Sequence, residues 1–224
     1  MRQLHLPMRI WDLPTRLFHW VLVVLIFAAW FSAWRDWMQV HVVCGLTVLS
    51  LLLYRLIWGF VGSDTARFSH FLKSPLAALR HLMRLLRREP DTEVGHNAAG
   101  GWMVILLLAL LCVQVGTGLC SNDDILVEGP LAAYFGKDRS DWLTHIQHLN
   151  FTLIEIAIAL HVLAIITYRV LKGQNLLLPM ITGKKRLPGA TRAPRMMHPV
   201  LALAVLIFSA LAVVLFLLVV GYIP

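Results

Sequence analysis

Residues 145–168 read HIQHLNFTLIEIAIALHVLAIITY, and within them Leu149–Tyr168 has no Lys or Arg and a single carboxylate, Glu155. Twenty such residues, rising about 1.5 Å each, reach roughly 30 Å, the thickness of a bilayer's hydrocarbon core. His161 sits inside this run and His148 at its edge. A neutral imidazole is awkward in hydrocarbon, so it marks a functional position there.

Four more stretches read the same way: Leu17–Trp34, Trp37–Tyr54, Asn97–Asn122 and Pro199–Tyr222. The whole chain of 224 residues is 58% hydrophobic and only 14% charged, which is membrane-protein rather than soluble-domain composition. No barrel-like alternation occurs. The expected fold is therefore an all-α membrane helix bundle. Asp12 with Pro14 predicts the cap and first turn of the first helix. The first run is too long for a signal-peptide core and has no small-residue cleavage site, so a retained helix is expected.

The net charge of +8 does not point to nucleic acid, because the basic residues segregate by loop. Seventeen of the twenty Lys and Arg lie before residue 17, in 55–96 or in 169–198. The positive-inside rule then places the N-terminus in the cytoplasm and the C-terminus outside. The outer segment Asp123–His148 is acidic, while Ser74–Arg88 (SPLAALRHLMRLLRR) reads as a basic amphipathic helix on the anionic leaflet or as an ordinary connector. Cys44, Cys112 and Cys120 form no C-x-x-C or C-x-x-C-H, which removes covalent haem and zinc-ribbon readings.

This topology sorts four histidines by depth. His19 begins the first span from the cytoplasmic side, and His41 begins the second from outside. His148 opens the fourth from outside, with His161 about 20 Å deeper. His19 and His161 share one level, His41 and His148 the other. Two matched pairs in a helix bundle are the expected axial ligands of two stacked haems. Gly45, one turn from His41, leaves room for a flat macrocycle. Arg16, one turn before His19, and Arg55, 14 residues past His41, are candidates for haem propionates or simple cytoplasmic anchors. Glu155 is a candidate for a proton path or quinone pocket, or a carboxyl paired with a neighbour such as Gln114. His5, His70, His81, His96 and His198 flank the interface and are expected not to be ligands, although His70 or His81 could line a quinone site.

The segments RIWDLPTRLFHW (9–20), HVVCGLTVLSLLLYRLIWGFVGSDTARFSHFLKSP (41–75), GHNAAGGWMVILLLALLCVQVGTG (95–118), HLNFTLIEIAIALH (148–161) and NLLLPMITGKK (175–185) resemble the bacterial cytochrome b561 and nickel-hydrogenase b-type cytochrome family. The resemblance implies a four-helix membrane core, residues 9–186, holding two non-covalent b-type haems. Residues 187–224 would add a basic linker and a fifth transmembrane helix. By position the ligands are His19, His41 and His161, plus a histidine at the outer start of the fourth span. Here the chain departs from its relatives: the residue 14 before His161 is Gln147, flanked by His148 and, two further back, His145. Either His148 serves through a distortion at the helix start, or His145 through a non-helical approach; His148 is the nearer.

The resemblance also implies one-electron transfer across the bacterial inner membrane, between quinone and a periplasmic partner such as a c-type cytochrome, a dehydrogenase or a hydrogenase. The acidic outer loop favours a basic partner. The alternative is a superoxide:quinone oxidoreductase, against which the acidic loop argues and for which Lys137 and Arg139 leave room. A haem-free transporter is disfavoured by the absence of inverted repeats and of broken helices.

Overall fold

A computed structural model describes residues 5–84, 93–122 and 127–223. Arg2, residues 85–88 of the expected amphipathic helix, and Asp123 and Asp124 of the acidic loop fall outside the described residues. The elements run β1 (His5–Arg9), α1 (Leu13–Trp34), α2 (Met38–Val61), α3 (Phe68–Phe71), α4 (Pro75–Met83), α5 (Ala98–Gly118), α6 (Ala132–Phe135), α7 (Lys137–Leu171), α8 (Leu177–Thr182), β2 (Lys184–Pro188) and α9 (Pro199–Val219). Five of them, α1, α2, α5, α7 and α9, are long and apolar enough to cross a membrane. The all-α membrane bundle read from the sequence is what the chain builds.

Helix ends lie where local chemistry sets them, not where hydrophobicity stops. Asp12 Oδ1 accepts the Thr15 amide at 2.6 Å, so α1 starts four residues before the apolar run and carries Arg16 inside it. α2 continues past Tyr54 to Val61, which puts Arg55 within the helix. α7 is 35 residues long and begins at Lys137, twelve before the apolar run, with Asp138 in its first turn.

The chain divides into two compact units. The first comprises Met1–Leu17, Leu56–Leu106 and Ile158–Ala202. Its core gathers Ile10, Trp11 and Leu187, with Met8, Val94 and Met180 packed against them. A feature the sequence reading missed lies here: β1 and β2 pair antiparallel, Arg9 opposite Lys184 and Pro7 opposite Arg186. The pairing is held from α8, because the Gly183 carbonyl accepts the amides of both Ile10 (2.9 Å) and Trp11 (3.2 Å). Thr65 Oγ1 adds a bond to the Ile10 carbonyl at 2.7 Å. Gly183 ends α8 in the left-handed region at φ 78°, and a Cβ there would lie 2.9 Å from the Trp11 carbonyl oxygen.

The second unit comprises Phe18–Arg55, Leu107–Ala157 and Leu203–Pro224. It contains the turn between α1 and α2, which is only three residues long. Trp37 N donates to Ser32 O at 2.8 Å and Asp36 N to Ala33 O at 3.2 Å, a Schellman closure with Asp36 at φ 58°. Trp37 then packs edge-on against Phe31, ring centroids 5.9 Å apart. Asn150 Nδ2 joins α7 to α5 through the Leu110 carbonyl (2.9 Å) and Gln114 Oε1 (2.8 Å). α9 buries Val205, Ser209, Val213 and Leu217, one residue per turn along a single face.

Gly183→Ala and Gly173→Ala separate contact from backbone in this framework. Gly173 is also left-handed, at φ 69°, but a Cβ there meets open space. Gly173→Ala should lose only the backbone contribution, about 1–2 kcal/mol. Gly183→Ala should lower the thermal midpoint in detergent further, since it also strikes Trp11. Equal midpoints for the two variants would show that the strand contact carries no stability.

Candidate functional site

His41 lies in the first turn of α2 and is half-buried. Its Nδ1 is 2.9 Å from the Ala29 carbonyl oxygen, and a carbonyl only accepts, so Nδ1 carries the proton. The neutral ring is then left with its lone pair on Nε2, the tautomer a metal-binding imidazole uses. Ser32 Oγ donates to the same carbonyl at 3.0 Å. One turn on, a Cβ at Gly45 would meet nothing within 4 Å, so the helix surface beside His41 is open to a flat group.

His161 is half-buried on the stripe of α7 that also carries the buried Ile154, Ala157 and Tyr168. His19, in the second turn of α1, is half-buried with its ring edge-on to Trp20 at 4.9 Å. Arg55 is 3% exposed, deep in α2. An arginine in such a place is held only where anionic or carbonyl groups meet it. Arg16 has part of its guanidinium engaged already, since Nη1 donates to the Ile181 carbonyl at the end of α8.

α7 decides how His145, Gln147 and His148 relate to His161. The helix is continuous from Lys137 to Leu171, so all three stand in regular helix, two to three turns past its start. Neither a distortion at the helix start nor a non-helical approach is present. At about 100° per residue, His148 lies about 140° around the helix from His161, and His145 about 160°. Both are exposed. Gln147, about 40° from His161, accepts a bond from Ser121 Oγ at 2.6 Å. Glu155 shares the exposed side with His148, and its suggested partner Gln114 is engaged by Asn150 instead.

His96, His70, His198 and His81 have structural surroundings. His96 packs between Trp11 and Phe71, with ring centroids 4.7 and 4.8 Å away. His70 Nδ1 lies 3.9 Å from Asp64 Oδ1. His198 Nδ1 accepts the Val200 amide at 3.3 Å. His81 shares a 2.5 Å hydrogen bond with Tyr168 Oη, which also accepts from Asn97 Nδ2 at 2.8 Å. The sequence reading did not foresee this His81–Tyr168–Asn97 group, nor the Asn150 bridge, because their partners are 36 to 87 residues away.

Among the described residues no cluster of three or more His, Cys, Asp or Glu is arranged for a bare metal ion. A haem brings four equatorial nitrogens of its own and asks the protein only for axial imidazoles. The oriented ring of His41 beside the open surface at Gly45, and the inward face carrying His161, fit that requirement.

A family model described as prokaryotic cytochrome b561 matches residues 10–183. No curated protein and no solved structure matches the chain.

The Asn150 bridge can be tested directly. Asn150→Leu strips a buried interhelical bond and strands Gln114 Oε1, a loss of about 1–2 kcal/mol in a membrane interior. The variant should show a lower thermal midpoint in detergent, with unchanged helical content by circular dichroism. A midpoint equal to wild type would mean that α5 and α7 hold together without this bond.

Proposed function

The chain belongs to the prokaryotic cytochrome b561 family, and from that premise we propose that it carries electrons across the bilayer between quinone and a redox partner at the outer face. It is a multi-pass membrane protein whose family points to b-type haem and transmembrane electron transfer. The finer reading is two haems in the bacterial inner membrane, with the N-terminus cytoplasmic and the C-terminus periplasmic. The charge count of the loops supports this orientation.

The observation that carries the reading is His41. Its Nδ1–H is fixed on the Ala29 carbonyl, so Nε2 is held ready for iron. His19, His161 and His148 are the other proposed axial residues, sorted into two levels by their depth along the sequence. When bound, a haem supplies a centre that takes and releases one electron without moving. The protein's share is to hold the imidazoles, keep water away with apolar helices and balance charge. Arg55, buried in α2, is proposed to meet the carboxylates of one propionate pair, and Arg16 to do so through the part of its guanidinium not engaged with Ile181.

His148 is the least supported member of the set, because it shares no face of α7 with His161. The haem held by His161 and the haem held by His148 would therefore meet α7 on different sides. The proposed outer partner is a basic c-type cytochrome, matched to the acidic residues Glu128, Asp138 and Asp141. The second reading, superoxide:quinone oxidoreductase, keeps one favourable observation: a shallow recess lined by Phe135, Gly136, Lys137, Asp138 and Arg139 holds two cations at the start of α7.

The purified protein should hold two non-covalent b haems by extraction and difference spectroscopy. His41→Ala and His161→Ala should each halve the count, while His148→Ala halves it only if His148 is an axial residue. One haem in wild type, unaffected by His148→Ala, would remove the outer site. Haem absent from wild type would end the electron-transfer reading. Electron exchange with a basic c-type cytochrome should slow steeply as salt rises. Salt-independent exchange, or rapid haem reduction by superoxide, would turn the choice to the oxidoreductase.

A further inference from the structure

α4 is nine residues long, far too short to span a bilayer, and it contains no acidic residue. Ser74 caps it, its Oγ accepting the Ala77 amide at 3.3 Å, and Pro75 opens it. The side chains divide around its circumference into three arcs. Ala77, Ala78 and His81 turn toward the protein, Ala78 buried and the other two partly so. Leu76, Leu79, Leu82 and Met83 are each more than half exposed, at 54, 54, 52 and 68%. Arg80 and Arg84, both exposed, adjoin the leucine arc, one turn apart. Four large apolar side chains on so short a helix are poorly served by water.

Two hydrogen bonds fix the level at which this helix lies. Trp102 Nε1, in the second turn of α5, donates to the Lys73 carbonyl just before α4 at 3.0 Å. His81, near the other end of α4, is joined at 2.5 Å to Tyr168, three residues before the end of α7. α4 is therefore tied at one end to the start of one membrane-spanning helix and at the other to the finish of a second. Both points are where a spanning helix meets the headgroup layer, and interfacial Trp and Tyr serve both.

We propose that α4 is a docking element for anionic phospholipid. Leu76, Leu79, Leu82 and Met83 enter the acyl boundary, while Arg80 and Arg84 bind headgroup phosphates. The amphipathic pattern and the charge both fit this occupant. The bond to Tyr168 makes the docked helix a brace on the end of α7, independent of any electron-transfer role.

The test is amide hydrogen exchange over residues 75–84 in nanodiscs that hold one copy of the full chain. Discs of phosphatidylcholine are compared with discs containing phosphatidylglycerol. Each arginine near an anionic surface slows exchange by about fivefold, so exchange should be about twenty-five-fold slower with phosphatidylglycerol. Arg80→Gln with Arg84→Gln should abolish most of that difference, and high salt should do the same in wild type, with α5 amides unchanged throughout. Leu79→Gln should speed exchange of α4 in both lipids. Equal exchange in the two lipids, or a double variant that keeps the full difference, overturns the proposal. Protection seen only in discs holding two copies would assign the face to a second chain and overturn it equally.

Discussion

Every polar group carried into hydrocarbon must find its partner inside the protein, and that single constraint organises this chain. The backbone meets it by closing into helices. The small hydroxyls meet it by bonding back one turn, as Thr47 does to Val43, Thr117 to Val113 and Ser209 to Val205, all at 2.7–2.8 Å. Larger polar groups reach across: Asn150 to α5, and His41 to the Ala29 carbonyl. His41 answers the constraint with Nδ1 only and keeps Nε2. That divided bonding turns a liability in lipid into a position able to hold iron.

Outside the apolar spans the same chain uses ordinary soluble-protein devices. Ion pairs such as Lys73–Glu93 at 3.3 Å are exposed and contribute little on their own. The Ile10–Trp11–Leu187 cluster and the short sheet join the segment before α1 to the segment after α8 in a common core. Arg9 and Lys184 face each other directly across that sheet, a like-charge pairing that weakens it slightly. The bonds from Gly183 and the buried face of Leu187 are what hold it.

The fold was legible in the sequence because a spanning helix needs only a long apolar run, and five runs stood out. Helix ends were less legible: α7 extends twelve residues beyond its apolar part because Lys137–His148 is helix-competent and needs no hydrocarbon. The β1–β2 pair was hidden, since its strands lie about 180 residues apart and read as charged, proline-containing linkers. The histidines were visible as the rare polar side chains in apolar runs. Their orientation was not, because the group that orients His41 is a backbone carbonyl, which leaves no mark in the residue pattern. The mismatch of His148 with His161 follows from helical arithmetic alone, once the continuity of α7 removes any local escape.

The three-residue turn after α1 makes the orientation of His41 a local matter. With Asp36 in the left-handed region and Trp37 clamped on Phe31, α1 and α2 are joined too tightly to slide past one another. The bond from His41 to Ala29 spans the same hairpin. The turn and the bond that orients the His41 ring are both made within residues 29–41. A reporter or affinity tag spliced into residues 35–37 would break the turn that brings His41 to Ala29, whereas the same tag after Val219 would leave the hairpin whole.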